Sequence, residues 1–304
     1  MSDRPMRAQI DITAVNATPA VIADGFAATE CPRWHDGRLY FSDMHGGVVV
    51  AMTPAGEQEI IAEVNGPGGL GFLPDGRLLV VSQRDRQVLR REPLGLVVHA
   101  DLGDRSESWI NDMWVDSTGR AFVGQMGFDV HAAMKGRLTA DDIRTASIFV
   151  VHPDGNVVVG ADELMFPNGI VLGLEPSTLL VAESIGYRIS AFRISVDGRL
   201  TDKRLWCQLP FAPDGITLDR DGCLWIADPH GRKAVRVAPG GEVLRAIATR
   251  GLCLSVALGG DDGRTLYVCT TESTDPDDAP RARSSHVEQV RVEIPAANSS
   301  QGNR

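Results

Sequence analysis

Short apolar segments alternate with glycine-containing turns along most of the chain. In residues 211–228 an apolar segment around Ile216 and Leu218 is followed by the turn Asp221-Gly222 and a second apolar segment that ends at Asp228. Two apolar runs joined by a tight Asp-Gly turn predict a β-hairpin. No segment has a sustained apolar period of 3.6 residues, so we expect no substantial helix.

The same hairpin pattern recurs six times, at a spacing of roughly 40–55 residues that is typical of blades or solenoid units. The copies contain, in chain order, the sequences ECPRWHDGRLYFSD, GGLGFLPDGRLLVVS, NDMWVDSTGRAFVG, PNGIVLGLEPSTLLVAES, APDGITLDRDGCLWIAD and CLSVALGGDDGRTLYVCT. Six repeats of about four short strands predict an all-β protein, a six-bladed β-propeller. The G-H…W-D signature of seven-bladed WD propellers is absent.

We expect one domain that spans residues 1–304. A strand at Ala20 to Ala23 should pair with the last blade, because an open sheet edge invites aggregation. Residues 1–8 and 296–304 are predicted to be disordered. Residues 127–143 form an unusual excursion in the third repeat, which either lies over a functional face or is a plain surface loop.

Equivalent residues at the start of each blade's first strand should converge on the axis of a propeller. Counting back from each turn places there Glu30, Gly68 or Gly69, Asn111, Asn168, Asp214, and Cys253 or Leu254. Carboxylate and amide oxygens around a narrow axis favour Ca²⁺, Mg²⁺ or Mn²⁺, and suit Zn²⁺ less well without His or Cys. The alternative is that Asn168-Gly169 and Asp214-Gly215 are ordinary turns. Their shared register favours a metal site in the central channel.

Charge and motif content exclude several classes of function. The net charge of −10 argues against nucleic acid, whose phosphates require a basic face. Five scattered cysteines without a C-x-x-C pair indicate free thiols in a reducing compartment. No apolar run has the length of a membrane span or a signal peptide, so we expect a cytoplasmic protein with no membrane partner. Serine-elbow and nucleotide-binding motifs are absent. The sequence does not indicate an oligomeric state.

The repeat motifs resemble those of the regucalcin/gluconolactonase/luciferin-regenerating-enzyme-like (senescence marker protein) family. The matching pieces are ECPRW with RLYFSDMHGG, NDMWVDSTGRAFVG, FPNGI, APDGITLDRDGCLWIAD and ALGGDDGRTLYV. The resemblance implies a six-bladed propeller with one divalent metal in its channel, expected to be Ca²⁺, with Mg²⁺, Mn²⁺ or Zn²⁺ as alternatives. It also implies that Glu30, Asn168 and Asp214 are metal ligands, that Asn111 contacts substrate, and that Asp214 moves the proton.

The chain departs from the sugar lactonases of that family at Trp109. Those proteins have an arginine two residues before the equivalent of Asn111, where it helps to hold a polyol. An indole offers an apolar wall and a single N–H donor. We therefore expect Trp109 to contact a less sugar-like substrate, although a core tryptophan would need no function.

The resulting hypothesis is metal-assisted hydrolysis of a small-molecule lactone or ester, in which Asp214 is the catalytic residue. Two alternatives remain open. The same metal site would suit a phosphotriesterase or arylesterase, and a calcium-binding propeller without catalytic activity would also need it. His45 and His230 follow strands in turn-like sequences, and we predict that they are turn residues and not catalytic bases.

Overall fold

The computed structural model describes residues 18–297 and is a six-bladed β-propeller, as predicted. Each blade is a four-stranded antiparallel sheet, and its innermost strand is the first in sequence except in the last blade, where the innermost strand is Leu252–Gly259 and the N-terminal strand is outermost. The first strand of the described chain, β1 (Ala20–Phe26), joins the last blade. Blades one to three comprise β2 (Thr29–His35), β3 (Arg38–Asp43), β4 (Val48–Met52), β5 (Gln58–Glu63), β6 (Pro67–Phe72), β7 (Leu78–Ser82), β8 (Gln87–Glu92), β9 (Gly95–Asp101), β10 (Ile110–Val115), β11 (Ala121–Gln125), β12 (Ala146–Val151) and β13 (Val157–Leu164).

The second half of the chain repeats this arrangement. Its strands are β14 (Pro167–Leu172), β15 (Thr178–Glu183), β16 (Arg188–Ile194), β17 (Leu200–Gln208), β18 (Ile216–Leu218), β19 (Leu224–Asp228), β20 (Lys233–Val237), β21 (Val243–Ala248), β22 (Leu252–Gly259), β23 (Thr265–Thr271) and β24 (Ser285–Arg291). Within the described residues the only α-helices are two short ones, α1 (Val130–Met134) and α2 (Ala279–Ala282), and a 3₁₀ turn spans Ala140–Asp142. None of these helices is long or apolar enough to cross a membrane.

The N-terminal strand closes the ring, which confirms the predicted pairing. β1 pairs antiparallel with β24, so the last blade takes its outermost strand from the start of the chain. This leaves the sixth sheet with four strands like the others. Most of the two termini predicted to be disordered lies outside the described residues, but Ala296 pairs with Asp219 and is buried.

The apolar side chains form six clusters, and each cluster lies between two neighbouring blades. Large buried aromatics such as Phe41, Phe122, Phe192 and Trp225 fill these interfaces. Burial of apolar surface therefore does most to join the blades side by side, since strand pairing in residues 18–297 stays within the six separate sheets. All five cysteines are free and buried.

The turns between first and second strands follow the predicted chemistry. Gly37, Gly76, Gly119, Gly222 and Gly263 all have φ between 69° and 84°. Only glycine adopts this backbone region without steric cost, which explains the repeated Asp-Gly and Thr-Gly pairs.

Candidate active site

The innermost strands contact one another in a closed ring, and most of them are distorted at one level. Five of the six have a register shift against the second strand of their own blade. The shift lies between residues 30 and 33 in β2, 67 and 70 in β6, 110 and 113 in β10, 167 and 170 in β14, and 253 and 255 in β22. Such bulges re-aim side chains and are common beside active sites. They occur at the positions that the repeat register selected.

The pairs Asn168-Gly169 and Asp214-Gly215 have sequences that are common in turns, but neither forms a turn. Gly169 lies within β14, and Gly215 lies just before β18. A Cβ on Gly169 would come within 2.6 Å of the Ile216 nitrogen, and one on Gly215 within 2.0 Å of the Ser255 hydroxyl oxygen. The glycines that follow Asn168 and Asp214 therefore allow neighbouring inner strands to approach closely. The alternative interpretation of these pairs as turns is wrong.

A cavity of about 150 Å³ lies at this end of the channel and gathers all five predicted site residues. Its lining comprises Glu30, Met44, His45, Gln83, Trp109, Asn111, Met126, Val130, Asn168, Asp214, Leu254, Thr274 and Pro276. One part of the lining is therefore rich in oxygen, and the rest is mostly apolar. This division would hold a polar reacting group against an apolar wall.

The two carboxylates in the cavity are difficult to ionise. Burial raises the pKa of Glu30 to about 7, although the Cys31 amide donates to Glu30 Oε2 at 2.8 Å. Burial and then repulsion from Glu30 raise the pKa of Asp214 well above its ordinary value. Asp112 adds to both shifts, but its own carboxylate is paired with Arg33 at 2.8 Å. Negative charge in this cavity lacks a matching cation among the side chains that line it.

The unsatisfied atom at the centre of this site is Asp214 Oδ1, which is buried and has no hydrogen-bond partner among residues 18–297. Buried polar atoms almost always have a partner, so an orphaned carboxylate oxygen suggests that something else occupies its place. A hard divalent cation fits, because it would neutralise Glu30 and Asp214 and accept the Asn168 carbonyl oxygen as a third ligand. Within residues 18–297, no group of three His, Cys, Asp or Glu side chains could hold a metal. An ion here would therefore depend on the amide oxygen.

A chain of hydrogen bonds links the amides of this site across three blades. Gln83 Nε2 donates to Asn111 Oδ1 at 3.0 Å, and Asn111 Nδ2 donates to Asn168 Oδ1 at 3.1 Å. Asn168 Nδ2 donates to the Ser184 hydroxyl at 3.2 Å, and that hydroxyl donates to the Pro213 carbonyl at 2.7 Å. Asn111 and Asn168 are therefore held by neighbours as well as by their own strands.

Several cavity residues were not predicted, and they share a second register position. The residue directly after the second strand of blades one to four lines the cavity or bonds a site residue. These residues are Met44, Gln83, Met126 and Ser184. This position recurs in each repeat, but its side chain is a thioether in two blades, an amide in one and a hydroxyl in another. No single residue type therefore identified it in the sequence.

His45 also lines the cavity, in addition to its predicted place in a turn. Its Nε2–H donates to the Thr274 carbonyl at 2.9 Å, which leaves Nδ1 buried, with a lone pair and no partner in the described part of the chain. Burial lowers the pKa of His45 below its ordinary value. The neutral imidazole can therefore accept a hydrogen bond from a ligand.

The excursion of residues 127–143 lies over the cavity and is not a remote surface loop. Val130 of α1 lines the cavity opposite Thr274 and Pro276, which follow β23 in the last blade. Lys135 joins the two segments, with its Nζ 2.5 Å from Asp275 Oδ2 and 3.1 Å from Asp277 Oδ2. Two loops from different blades thus form a roof that restricts what can enter.

Trp109 lines the same cavity, as expected for a substrate contact. The guanidinium of Arg84 lies over its ring, 5.5 Å from the ring centre. This cation–π contact supports one face of the indole. The other side of the indole remains available as an apolar wall of the cavity.

Comparison with known proteins gives a consistent result. The model of the SMP-30/Gluconolactonase/LRE-like region matches residues 28–272. Regucalcin of Oryctolagus cuniculus is 28% identical over 274 residues, which cover 86% of this chain and 89% of that protein. Regucalcin of Xenopus laevis is 26% identical over 260 residues, with 82% and 84% covered.

Solved structures share the fold at lower identity. A luciferin-regenerating enzyme has a TM-score of 0.76 at 19% identity and covers 91% of this chain and 97% of its own. A calcium-binding regucalcin of Agrobacterium tumefaciens has a TM-score of 0.75 at 20% identity, with 92% and 95% covered. A gluconolactonase of Xanthomonas campestris has a TM-score of 0.71 at 21% identity, with 92% and 90% covered.

Proposed function

This chain belongs to the SMP-30/Gluconolactonase/LRE-like family, and we propose that it is a divalent-metal-dependent hydrolase that opens the ring of a lactone. Family membership supports a lactonase-type or calcium-binding function. The observation that favours a metal-dependent reaction is the unpartnered Oδ1 atom of the Asp214 carboxylate, which lies with Glu30 in a cavity large enough for a small substrate.

Glu30, Asn168 and Asp214 would hold the ion, which we expect to be Ca²⁺, with Mg²⁺, Mn²⁺ or Zn²⁺ as alternatives. When bound, a divalent cation polarises an ester carbonyl and stabilises the negative charge that develops on its oxygen. Such an ion would also offset the mutual repulsion of the two carboxylates.

The side chains of this protein would supply position and proton transfer. Asn111 orients the substrate next to Asn168, to which it is hydrogen-bonded. Asp214 takes the proton of the attacking water as the new C–O bond forms, and returns it to the alkoxide when the ring C–O bond breaks. His45 Nδ1 accepts a hydrogen bond from water or from a substrate hydroxyl.

The apolar part of the lining selects the substrate. Met44, Trp109, Met126, Val130 and Leu254 offer no hydrogen-bonding partners for a polyol apart from the indole N–H. A hydroxylated sugar lactone would leave hydroxyls unpaired against these side chains, at a cost of binding free energy. We therefore expect an alkyl or aromatic lactone to be preferred over gluconolactone.

Turnover by the metal-loaded protein tests this function. The protein is stripped with EDTA, dialysed, and assayed with CaCl₂, MgCl₂, MnCl₂ or ZnCl₂ against alkyl lactones, dihydrocoumarin, gluconolactone, aryl esters and a phosphotriester. We expect metal-dependent acid release that is fastest with an apolar lactone. Faster cleavage of the phosphotriester or aryl ester would instead assign the phosphotriesterase or arylesterase alternative.

Calcium binding without catalysis is the second candidate, because the curated relatives above are named regucalcin and one solved relative is described as calcium-binding. Calorimetric binding of CaCl₂ together with no turnover of any ester in the panel would favour it. The cavity beside the carboxylates argues for the hydrolase, since storage of an ion needs no space for a substrate.

A further inference from the structure

The Ser184 hydroxyl determines which atoms donate and which accept along the series of hydrogen bonds between the site amides. The Ser184 hydroxyl has one proton, and it donates that proton to the Pro213 carbonyl, which can only accept. The hydroxyl oxygen must therefore accept from Asn168, so the NH₂ group of Asn168 points towards Ser184. The Asn168 carbonyl oxygen then points the other way, towards Asn111, and both residues line the cavity.

The same logic fixes the next amide. Because Asn168 Oδ1 is an acceptor, Asn111 must turn its NH₂ group towards it, which leaves Asn111 Oδ1 facing Gln83. Gln83 Nε2 donates to that oxygen at 3.0 Å. A flip of either asparagine would place two acceptors or two donors face to face, in a buried region where water cannot replace the lost bond.

We propose that Ser184 and Gln83 are positioning residues that lock the amide orientations of Asn168 and Asn111 from opposite ends of the chain. Ser184 turns the Asn168 carbonyl oxygen into the cavity, where it can ligate a cation. Gln83 holds Asn111 as a donor to that oxygen. This inference rests on the proposed function only in taking the Asn168 oxygen as a metal ligand.

One consequence concerns substrate recognition. Asn111 uses one N–H on Asn168 and its carbonyl oxygen on Gln83, so its second N–H is the group left for a ligand. The second N–H of Asn111 can therefore be donated to an acceptor such as an ester oxygen.

Calorimetric titration of the purified, EDTA-stripped protein with CaCl₂ tests the lock. Loss of an outer partner of a metal ligand typically weakens metal affinity by about 10- to 100-fold, so we expect that loss in Ser184→Ala and about a 10-fold loss in Gln83→Met. Ser184→Thr, which keeps the hydroxyl, should restore the affinity. Ser190→Ala is the matched control, because that buried hydroxyl lies in the same blade and bonds Glu183 instead.

Equal calcium affinity in wild type and Ser184→Ala, with both folded, would overturn the inference. A second readout needs no metal. In ¹⁵N-labelled protein, the side-chain NH₂ protons of Asn111 and Asn168 should exchange slowly in wild type and faster in Ser184→Ala, but not in Ser190→Ala. If wild type binds no divalent cation, the proposed function fails, and unchanged exchange in Ser184→Ala would independently reject the lock.

Discussion

Two groups of buried carboxylates in this propeller have opposite surroundings. Glu183 at the end of β15 is fully buried, but it is bonded by Arg188, Ser190 and the Met165 amide, and Lys203 lies 3.1 Å away. Although burial alone would raise it, these hydrogen bonds lower the pKa of Glu183 to about 2.

In the channel, by contrast, Asp214 Oδ1 has no partner among the residues that the structure describes, and burial raises the pKa of both Glu30 and Asp214. The chain can satisfy a buried carboxylate with its own cations, as it does in blade four. It does not do so at the mouth of the channel, where the proposed site for an external cation would require the charge to remain uncompensated.

The largest expected effect comes from removing the uncompensated charge. We expect Asp214→Ala to lower kcat/KM of the metal-loaded protein by about 10³-fold, or about 4 kcal/mol, because both a ligand and the proton acceptor are lost. Without metal, the variant should be at least as stable as wild type, since an unpaired buried carboxylate has been removed. Lactone turnover, calcium calorimetry and urea denaturation measure the three quantities.

Glu183→Gln is the matched control, because it also replaces a buried carboxylate. It should bind calcium like wild type but lose about 2 kcal/mol of unfolding free energy, after allowance for the partial exposure of Arg188 and Lys203. If Asp214→Ala kept nearly full activity, the catalytic site would have to be placed elsewhere.

The fold could be predicted from the sequence because hairpin periodicity and turn glycines such as Gly222 repeat six times. The first-strand positions of Glu30 and Asp214 followed from the same register. Gln83 and Ser184 could not be found that way, because their role depends on hydrogen-bond partners in neighbouring blades. The periodicity of the sequence within one blade does not reveal which residues of neighbouring blades come into contact.

The placement of residues 127–143 over the cavity was also left open by the sequence. It depends on Lys135 reaching Asp275 and Asp277, which lie about 140 residues further along the chain. A lysine in a polar excursion has no pattern that identifies a distant partner. The structure supplies the contact and thereby links the excursion to the site.

The free energy of unfolding at acidic pH should show the contribution of the ionised Glu183. The folded-state pKa of Glu183 is depressed from 4.5 to about 2, so its contribution to stability is present above the unfolded value. That contribution is at most about 3 kcal/mol by proton linkage and about 2 kcal/mol after allowance for the exposure of Arg188 and Lys203, and it should be lost as the pH falls from about 4.5 to about 2. Urea denaturation in EDTA, compared between wild type and Glu183→Gln, isolates this residue.

We expect the difference in unfolding free energy between the two proteins to be constant near neutral pH and to shrink across that acidic window. A difference that stayed the same down to the lowest pH at which both proteins fold would mean that Glu183 is not ionised by its partners. The conclusion that Glu183, unlike Glu30 and Asp214, is stabilised by its own partners would then be wrong.

Addition of calcium should supply the charge that the channel lacks. At a free concentration of 100 times Kd, binding to the native state alone stabilises it by about 2.7 kcal/mol, which corresponds to an increase of about 5 °C in Tm for a chain of this size. EDTA should reverse the change. Asp214→Ala should show no increase, and Glu183→Gln should show the full one, as followed by differential scanning calorimetry.

The smallest expected effect comes from placing a fixed positive charge in the cavity. Trp109→Arg would give Glu30 and Asp214 the kind of neighbour that Glu183 has in Arg188. The guanidinium should compete with the ion and weaken calcium affinity by about tenfold, or about 1.4 kcal/mol. It should also shift the ratio of kcat/KM towards gluconolactone, because it adds donors for hydroxyls. Trp109→Phe keeps the apolar wall and should change neither quantity. An unaltered calcium affinity in Trp109→Arg would show that the charge imbalance at the two carboxylates is not felt across the cavity.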